Sequence, residues 1–331
     1  MRVLVTGASG LLGREVARLL VREGHAVATF QRHPSGVDGA TDFCGPVTDD
    51  AAVRGAVQGA EGIIHLAAKV SFTGPAAEFD EVNVEGTRRL LRSARAAGVR
   101  DVVFVSSPSV ANSGAAIAGL GAEPADPEHA HGDYSRTKAE AELLALAADA
   151  PEFRVAAVRP HIVWGPGDTQ LVERVLARAS RRRLPLLDAG GALIDTTYVD
   201  NAASAIVAAL HRMEHIHGRA LVVSNGEPRP VGELLAGICA AGGVPAPSWT
   251  LPGGVARAAG AVVEKLWTWA GRKEEPPMTR FLAEQLSTGH WFDQRETRQL
   301  LNWTPAVSLD DGLARLAEHY RSWSAAEVHR S

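Results

Sequence analysis

Tyr134-Ser-Arg-Thr-Lys138 sets a phenol and an ammonium four residues apart. On a helix that spacing puts them on one face, one turn from each other. A tyrosine ordinarily keeps its proton to about pH 10, and a cation one turn away favours the phenolate and lowers that value. Such a pair can hand a proton to a carbonyl oxygen, or take one from an alcohol in reverse. A third group should hold the reacting oxygen. The run Val105-Ser106-Ser107-Pro108-Ser109-Val110 closes a β-branched stretch, at the carboxyl edge where parallel sheets bind ligands. No nucleophile elbow or Ser-His-Asp order surrounds these serines, so they are read as hydrogen-bond donors rather than nucleophiles.

A second cluster lies at the start of the chain. Thr6-Gly7-Ala8-Ser9-Gly10-Leu11-Leu12-Gly13 follows a strand and opens a helix. Gly7 permits the tight turn, Gly10 lets a pyrophosphate approach the backbone, and Gly13 lets helix and strand pack closely. The anion would sit on the N–H groups at the helix start, around Ser9, Leu11 and Leu12. The next strand ends Phe30-Gln31-Arg32-His33, and no carboxylate follows until Asp38. An NAD enzyme usually places a ribose-binding carboxylate there. Arg32 could instead meet a 2′-phosphate, which points to NADP(H) as cofactor.

These residues need a scaffold that alternates strand and helix. Arg2–Thr6, Ala26–Phe30, Gly62–Ala67, Asp101–Ser107 and Arg154–Arg159 read as strands. Leu11–Glu23, Asp49–Val57, Glu78–Ala97 and Tyr134–Ala148 read as helices, with Gly24 and Gly98 as stops. The expected class is α/β: a doubly wound parallel sheet, the Rossmann fold, with a smaller, mostly helical C-terminal lobe. After Pro160 the alternation weakens. Leu171–Arg183 and Tyr198–Met213 read as helices and Arg219–Ser224 as a strand, followed by helix and loop broken by prolines. We expect a nucleotide-binding domain over 1–165, returning over about 195–224, interleaved with a substrate-binding lobe over 166–331.

Composition bounds the partners. Of 331 residues, 46% are hydrophobic and 22% charged, so a sizeable core is available; the net charge of -4 argues against nucleic acid. Cys44 and Cys239 give neither a disulfide framework nor metal-ligand spacing, and no metal is expected. His215 and His217 read as solvated. The opening Met1-Arg-Val-Leu-Val-Thr6 is already a strand, and no uncharged apolar run is long enough to span a bilayer, so a cytoplasmic protein is expected.

The glycine turn spaced Gly-x-x-Gly-x-x-Gly, the strand-end serines and Tyr-x-x-x-Lys, in that order, resemble the extended short-chain dehydrogenase/reductases. The resemblance covers essentially the whole chain, through His65-Leu-Ala-Ala68 and Asn83-Val-Glu-Gly-Thr87 to Leu300-Leu-Asn-Trp-Thr-Pro305. It implies an NADP(H)-dependent oxidoreductase with Ser107, Tyr134 and Lys138 as catalytic residues, Ser109 being the alternative to Ser107. It also implies that Lys138 bonds the nicotinamide ribose and that Ala67, Ala68, Asn83, Pro160 and Val163 line the cofactor channel. Lys69 could meet the cofactor or a substrate carboxylate or lie on the surface, and His161 could hydrogen-bond cofactor or substrate or be structural. One departure is Pro46, where the family commonly carries an adenine-contacting Asp; the Val47 backbone can still serve.

Val103–Val110 and Arg159–Asp168 resemble the 3β-hydroxysteroid dehydrogenase branch. Asp195–Asn201, Val223–Pro228 and Glu275–Gln285 resemble the NADP-dependent 2-alkyl-3-oxoalkanoate reductases of bacterial long-chain olefin biosynthesis. That implies reduction of the 3-keto group of a long, branched fatty acid, with Ser109, Trp164 and Tyr198 as candidate substrate contacts. A hydroxysteroid or sterol dehydrogenase, a nucleotide-sugar epimerase or dehydratase, and a non-catalytic NADP-binding subunit are the competing readings. In Val255–Ala270 an apolar stripe of Val255, Ala259, Val262, Val263 and Leu266, with Trp267 and Trp269, suits an acyl tunnel, a core contact or a membrane surface. The expected partner is an apolar small molecule. Peripheral association with a membrane or a pathway enzyme stays open, and a homodimer is an expectation from the family.

Overall fold

The computed structural model describes residues 1–71, 74–111, 114–269 and 280–328. Residues 270–279, which include Ala270 and the first five residues of the Glu275–Gln285 stretch, lie outside them, as do the side chains of Leu266, Trp267 and Trp269.

Five short runs become strands β1 (Arg2–Thr6), β2 (Ala26–Gln31), β3 (Thr41–Cys44), β4 (Gly62–His65) and β5 (Asp101–Val105). With Arg154–Pro160 and Ala220–Val223 they form one seven-stranded parallel sheet, in the spatial order Ala220–Val223, Arg154–Pro160, β5, β4, β1, β2, β3. Parallel strands covered on both faces are apolar throughout, and β4 and β5 are buried at every position. One face packs Val16, Leu20, Ile206 and Leu210, and the other packs Val53, Leu90, Ala141 and Ala145. The strand order reverses at β1. Its register against β2 ends at Thr6↔Phe30, and against β4 at Thr6↔His65. The crevice of a doubly wound sheet lies at that switch point.

Two elements of the first hundred residues differ from the sequence expectation. β3 was not foreseen: it is an edge strand with all four residues exposed, so it carries no burial alternation. The single helix expected over Glu78–Ala97 is three pieces, Ala76–Phe79, a π-helical turn Asp80–Glu85, and Gly86–Ala96. A π turn shifts the side chains that follow it, and this one carries Asn83.

The second lobe is built around Trp164, Val175, Leu234, Ile238, Leu309 and Leu316. Its small sheet runs Arg229–Pro230, Leu193–Ile194, His290–Phe292, Ile117–Leu120. In the closing motif, Asn302 caps helix Arg295–Leu301 in the left-handed region (φ 46), which asparagine tolerates. Trp303 donates from Nε1 to Ser204 Oγ at 2.9 Å. No described helix is long and apolar enough to cross a membrane.

Candidate active site

The glycine turn between β1 and helix α1 (Leu11–Arg22) is a cradle whose three glycines have different causes. Gly7 has φ 75, and a Cβ there would stand 2.9 Å from Ala67 N. At Gly13 a Cβ would stand 2.4 Å from Gly7 O, so helix and turn meet backbone to backbone. Gly10 is not required by the protein's own packing: the nearest atom to a Cβ is Gly7 O at 3.5 Å. Its missing side chain opens the turn outward. Gly10 is the N-cap of α1 and no side chain caps it, so the first amides, from Leu11 and Leu12 onward, can serve an anion. These residues fit a dinucleotide pyrophosphate.

Arg14 was missed by the sequence reading. Its Nη2 donates to Ser9 O at 3.1 Å, while its buried Nε has no partner. The available signal was a cation at a helix start, where the macrodipole disfavours it.

The end of β2 is more crowded than its sequence suggests. The register Thr29↔Asp42 brings a carboxylate beside it from β3. Asp42 accepts from Thr29 Oγ1, from Gln31 Nε2 at 3.0 Å and from Ser35 N at 3.1 Å. Burial alone would raise its pKa, but these bonds hold it below the usual carboxylate value. Asp42 thus shapes the turn after β2, and Gln31 is buried against it. Arg32 is exposed, on the same turn.

Behind the crevice, a chain of hydrogen bonds ties the glycine turn to the tyrosine helix, Gly132–Ala147. Thr6 Oγ1 accepts from Ala67 N at 3.0 Å and lies 2.7 Å from His65 Nδ1. His65 Nε2 lies 3.1 Å from Thr87 Oγ1, which donates to Asn83 O at 2.6 Å. Thr87 has spent its own proton, so Nε2 carries the imidazole hydrogen and Nδ1 accepts from Thr6. Burial, then the Lys138 charge, press the His65 pKa down to about 3, so it is neutral. Asn83 closes the chain, accepting from Lys69 N at 2.7 Å and donating to Thr137 Oγ1 at 3.0 Å. It holds both the loop after β4 and the tyrosine helix.

Ser107, Tyr134 and Lys138 come together at the end of β5. Ser107 stands close enough to the Tyr134 hydroxyl to lower its pKa, and its own Oγ lies 3.0 Å from Ser109 Oγ. Lys138 is buried; Nζ donates to Val105 O at 2.8 Å and sits 4.1 Å from the Phe104 ring centroid. The Tyr134 pKa runs opposite to the sequence expectation. Burial pushes it up to about 12, with Ser107 opposing. The Lys138 ammonium is spent on a carbonyl and a ring face rather than on the phenol. A neutral phenol is the form that donates a proton. Lys138 itself is pushed down to about 7 by burial, against the pull of Glu142. Glu142 in turn forms a buried bidentate pair with Arg159, whose Nη1 donates to Glu123 O at 2.7 Å.

These values give a pH dependence. The Lys138 ammonium is present below about pH 7, and the Tyr134 proton stays on to about 12. The kcat/KM for ketone reduction reports free-enzyme groups. It should be level below pH 7 and fall as pH rises through about 7. A profile flat to strongly alkaline pH would contradict a role for the Lys138 charge.

The remaining candidates divide. His161 donates from Nδ1 to Asp195 O at 2.5 Å and packs on Phe292, 4.9 Å between ring centroids. Burial lowers it to about 4, leaving a neutral ring with Nε2 as its remaining acceptor. Between Pro160 and Val163, Ile162 has φ 42, a conformation a β-branched residue takes only when its surroundings force it. Thr197 supplies that force, bonding His161 O at 2.7 Å and Ile162 O at 3.2 Å. Lys69 pairs with Glu78 and lies 5.0 Å from the Phe79 ring. Val47 is buried against Gly86.

Trp164 and Tyr198 are core residues, contrary to the substrate role considered above. They are 0% and 2% exposed and pack edge to face, and the Trp164 N–H bonds Thr196 Oγ1 at 2.9 Å. The apolar stripe of Val255–Ala270 also turns the other way. Helix Gly253–Trp269 buries Ala256 and leaves Val255 and Val262 54% and 58% exposed. Its Arg257, Ala258 and Ala261 line a cavity of about 490 Å³ together with Gly114, Glu284 and Thr288. Glu284 Oε2 lies 3.0 Å from Nδ1 of His131, the residue that opens the tyrosine helix.

The family described as "NAD dependent epimerase/dehydratase family" matches residues 3–224. A relative from Stenotrophomonas maltophilia named 2-alkyl-3-oxoalkanoate reductase is 39% identical over 324 residues, 96% of this chain and 98% of its own. Another of that name, from Shewanella oneidensis, is 33% identical over 326 residues, 94% of this chain and 84% of its own. Among solved structures, MoeE5 in complex with UDP-glucose and NAD has a TM-score of 0.75 at 24% identity and covers 98% of this chain and 99% of that one. At that identity the likeness shows the fold alone.

Proposed function

The chain belongs to the NAD dependent epimerase/dehydratase family and is an oxidoreductase, and we propose that it uses NADPH to reduce the 3-keto group of a long-chain 2-alkyl-3-oxoalkanoic acid. The observation that carries this reading is the Ser107–Tyr134 hydroxyl pair beside buried Lys138, at the carboxyl end of β5. The names of the two reductase relatives support the substrate class. Bound NADPH would supply the hydride to the ketone carbon. Ser107 holds the carbonyl oxygen, Tyr134 gives it a proton, and Lys138 keeps positive charge nearby as the oxygen becomes an alcohol. His65 and Asn83 fix the strand and helix ends that present these groups. We read the enzyme as cytoplasmic, which its two free cysteines support.

NADPH oxidation measured with an apolar 2-alkyl-3-ketoacid, a ketosteroid and no ketone tests the assignment. The ketoacid should turn over fastest; faster turnover of the ketosteroid would move the protein to the steroid branch.

NADPH rather than NADH rests on Arg32, exposed just past β2, where the carboxylate that β3 brings, Asp42, is bonded to Thr29, Gln31 and Ser35, and on Arg14 beside the glycine turn. A charge-assisted contact to the 2′-phosphate is worth about 1.5–3 kcal/mol, or roughly ten- to more than hundredfold in affinity. Titration should show that preference in the wild type and its loss in Arg32→Ala. Equal affinities in the wild type would remove the assignment.

A further inference from the structure

At the far end of α1 from the glycine turn, three side chains from two distant segments converge. Gly24 (φ 80) turns the chain between Glu23 and His25, after α1 and before β2. His211 is the last residue of helix Val199–His211, which packs along α1. His25 Nε2 and His211 Nε2 lie 3.3 Å apart. Glu23 Oε2 is 3.6 Å from the first and 3.7 Å from the second. Among the described residues this is the group whose ligand atoms all lie within 4.8 Å of one another.

We propose that Glu23, His25 and His211 form a binding site for a divalent transition metal of the zinc class, clasping helix Val199–His211 to the turn between α1 and β2. A tetrahedral ion with Zn–N bonds of about 2.0–2.1 Å requires ligand atoms about 3.3–3.4 Å apart. The two imidazole nitrogens already stand at that separation, and the carboxylate oxygen needs to close by a few tenths of an ångström. Two imidazoles and a carboxylate are a donor set such an ion accepts, with water in the fourth position. The α-amino group of Met1 lies 3.5 Å from Nδ1, the other nitrogen of His25. The site is structural rather than catalytic. The twelve residues of α1 separate it from the glycine turn, roughly 18 Å of helix. It joins a helix from beyond residue 195 to the first βα unit, so an ion there holds together segments far apart in the chain.

Tag-free protein stripped with a chelator and titrated with ZnCl2 by equilibrium dialysis, beside His25→Gln and His211→Gln, tests this. The wild type should take up one tight equivalent, and each variant should bind at least roughly tenfold more weakly. ZnCl2 should raise the thermal midpoint of the wild type and leave that of the variants unchanged, with ketoreductase turnover the same in all three. CoCl2 should give the strong visible band of a four-coordinate ion in the wild type only. Glutamine keeps hydrogen-bonding capacity, so a cluster that only exchanges hydrogen bonds would show equal uptake in wild type and variants. That result, or uptake with no rise in midpoint, overturns the proposal.

Discussion

Tyr134→Phe should lower turnover by roughly 10²–10⁴-fold, the usual contribution of a positioned general acid, while leaving NADPH binding near the wild-type value. The hydroxyl is the group beside Ser107, and its pKa of about 12 keeps the proton in place for donation. Phenylalanine preserves the ring and its packing. It also spares the other supports of this region: the Lys138 bond to Val105 O and the Asn83 bond to Thr137. The loss should therefore appear in kcat, with the NADPH Kd from fluorescence titration unchanged. Turnover within a few-fold of wild type would mean that another group delivers the proton. Equal collapse of NADPH affinity would mean that the substitution had disturbed the fold.

A series of 2-alkyl-3-ketoacids of increasing chain length should show kcat/KM rising steeply until the site is full. Each methylene moved from water into an apolar site is worth about 0.8 kcal/mol, close to fourfold at 1.4 kcal/mol per factor of ten. Four added methylenes therefore compound to about two-hundredfold. The cavity edged by Ala258 and Ala261 adjoins His131 at the start of the tyrosine helix, through Glu284. A flat or falling series would argue for a compact substrate and against the acyl reading.

What could be read from the sequence was what short segments decide alone. The glycine turn is local: one positive φ and one backbone-to-backbone contact select glycine at 7 and 13. A tyrosine and lysine one turn apart share a face wherever the helix lies. What escaped depends on partners distant in sequence. β3 is wholly exposed and shows no pattern until it pairs with β2. That pairing returns Asp42 to a strand end that appears free of carboxylates. The lobe sheet joins segments of two to four residues from Ile117 to Phe292, each too short to carry a period. The stripe of Val255 and Val262 is a true helical pattern, but helix Gly253–Trp269 packs on helix Arg280–Ser287 through its small residues, with Ala256 and Ala283 buried, and turns those valines outward. The direction of the Tyr134 shift was misjudged for the same reason. Spacing sets the lysine near, but burial, and the carbonyl its ammonium chooses, are tertiary facts.

Hydride transfer with proton delivery by Tyr134 is tested most directly in a single turnover. NADPH carrying deuterium at the transferable position of its nicotinamide is mixed with a long-chain 2-alkyl-3-oxoalkanoic acid, and the product is examined by mass spectrometry. The wild type should give the 3-hydroxy acid with one deuterium on the former ketone carbon, and Tyr134→Phe should give it far more slowly with the cofactor still bound. Product without deuterium at that carbon, or no hydroxy acid from the wild type, would contradict the account.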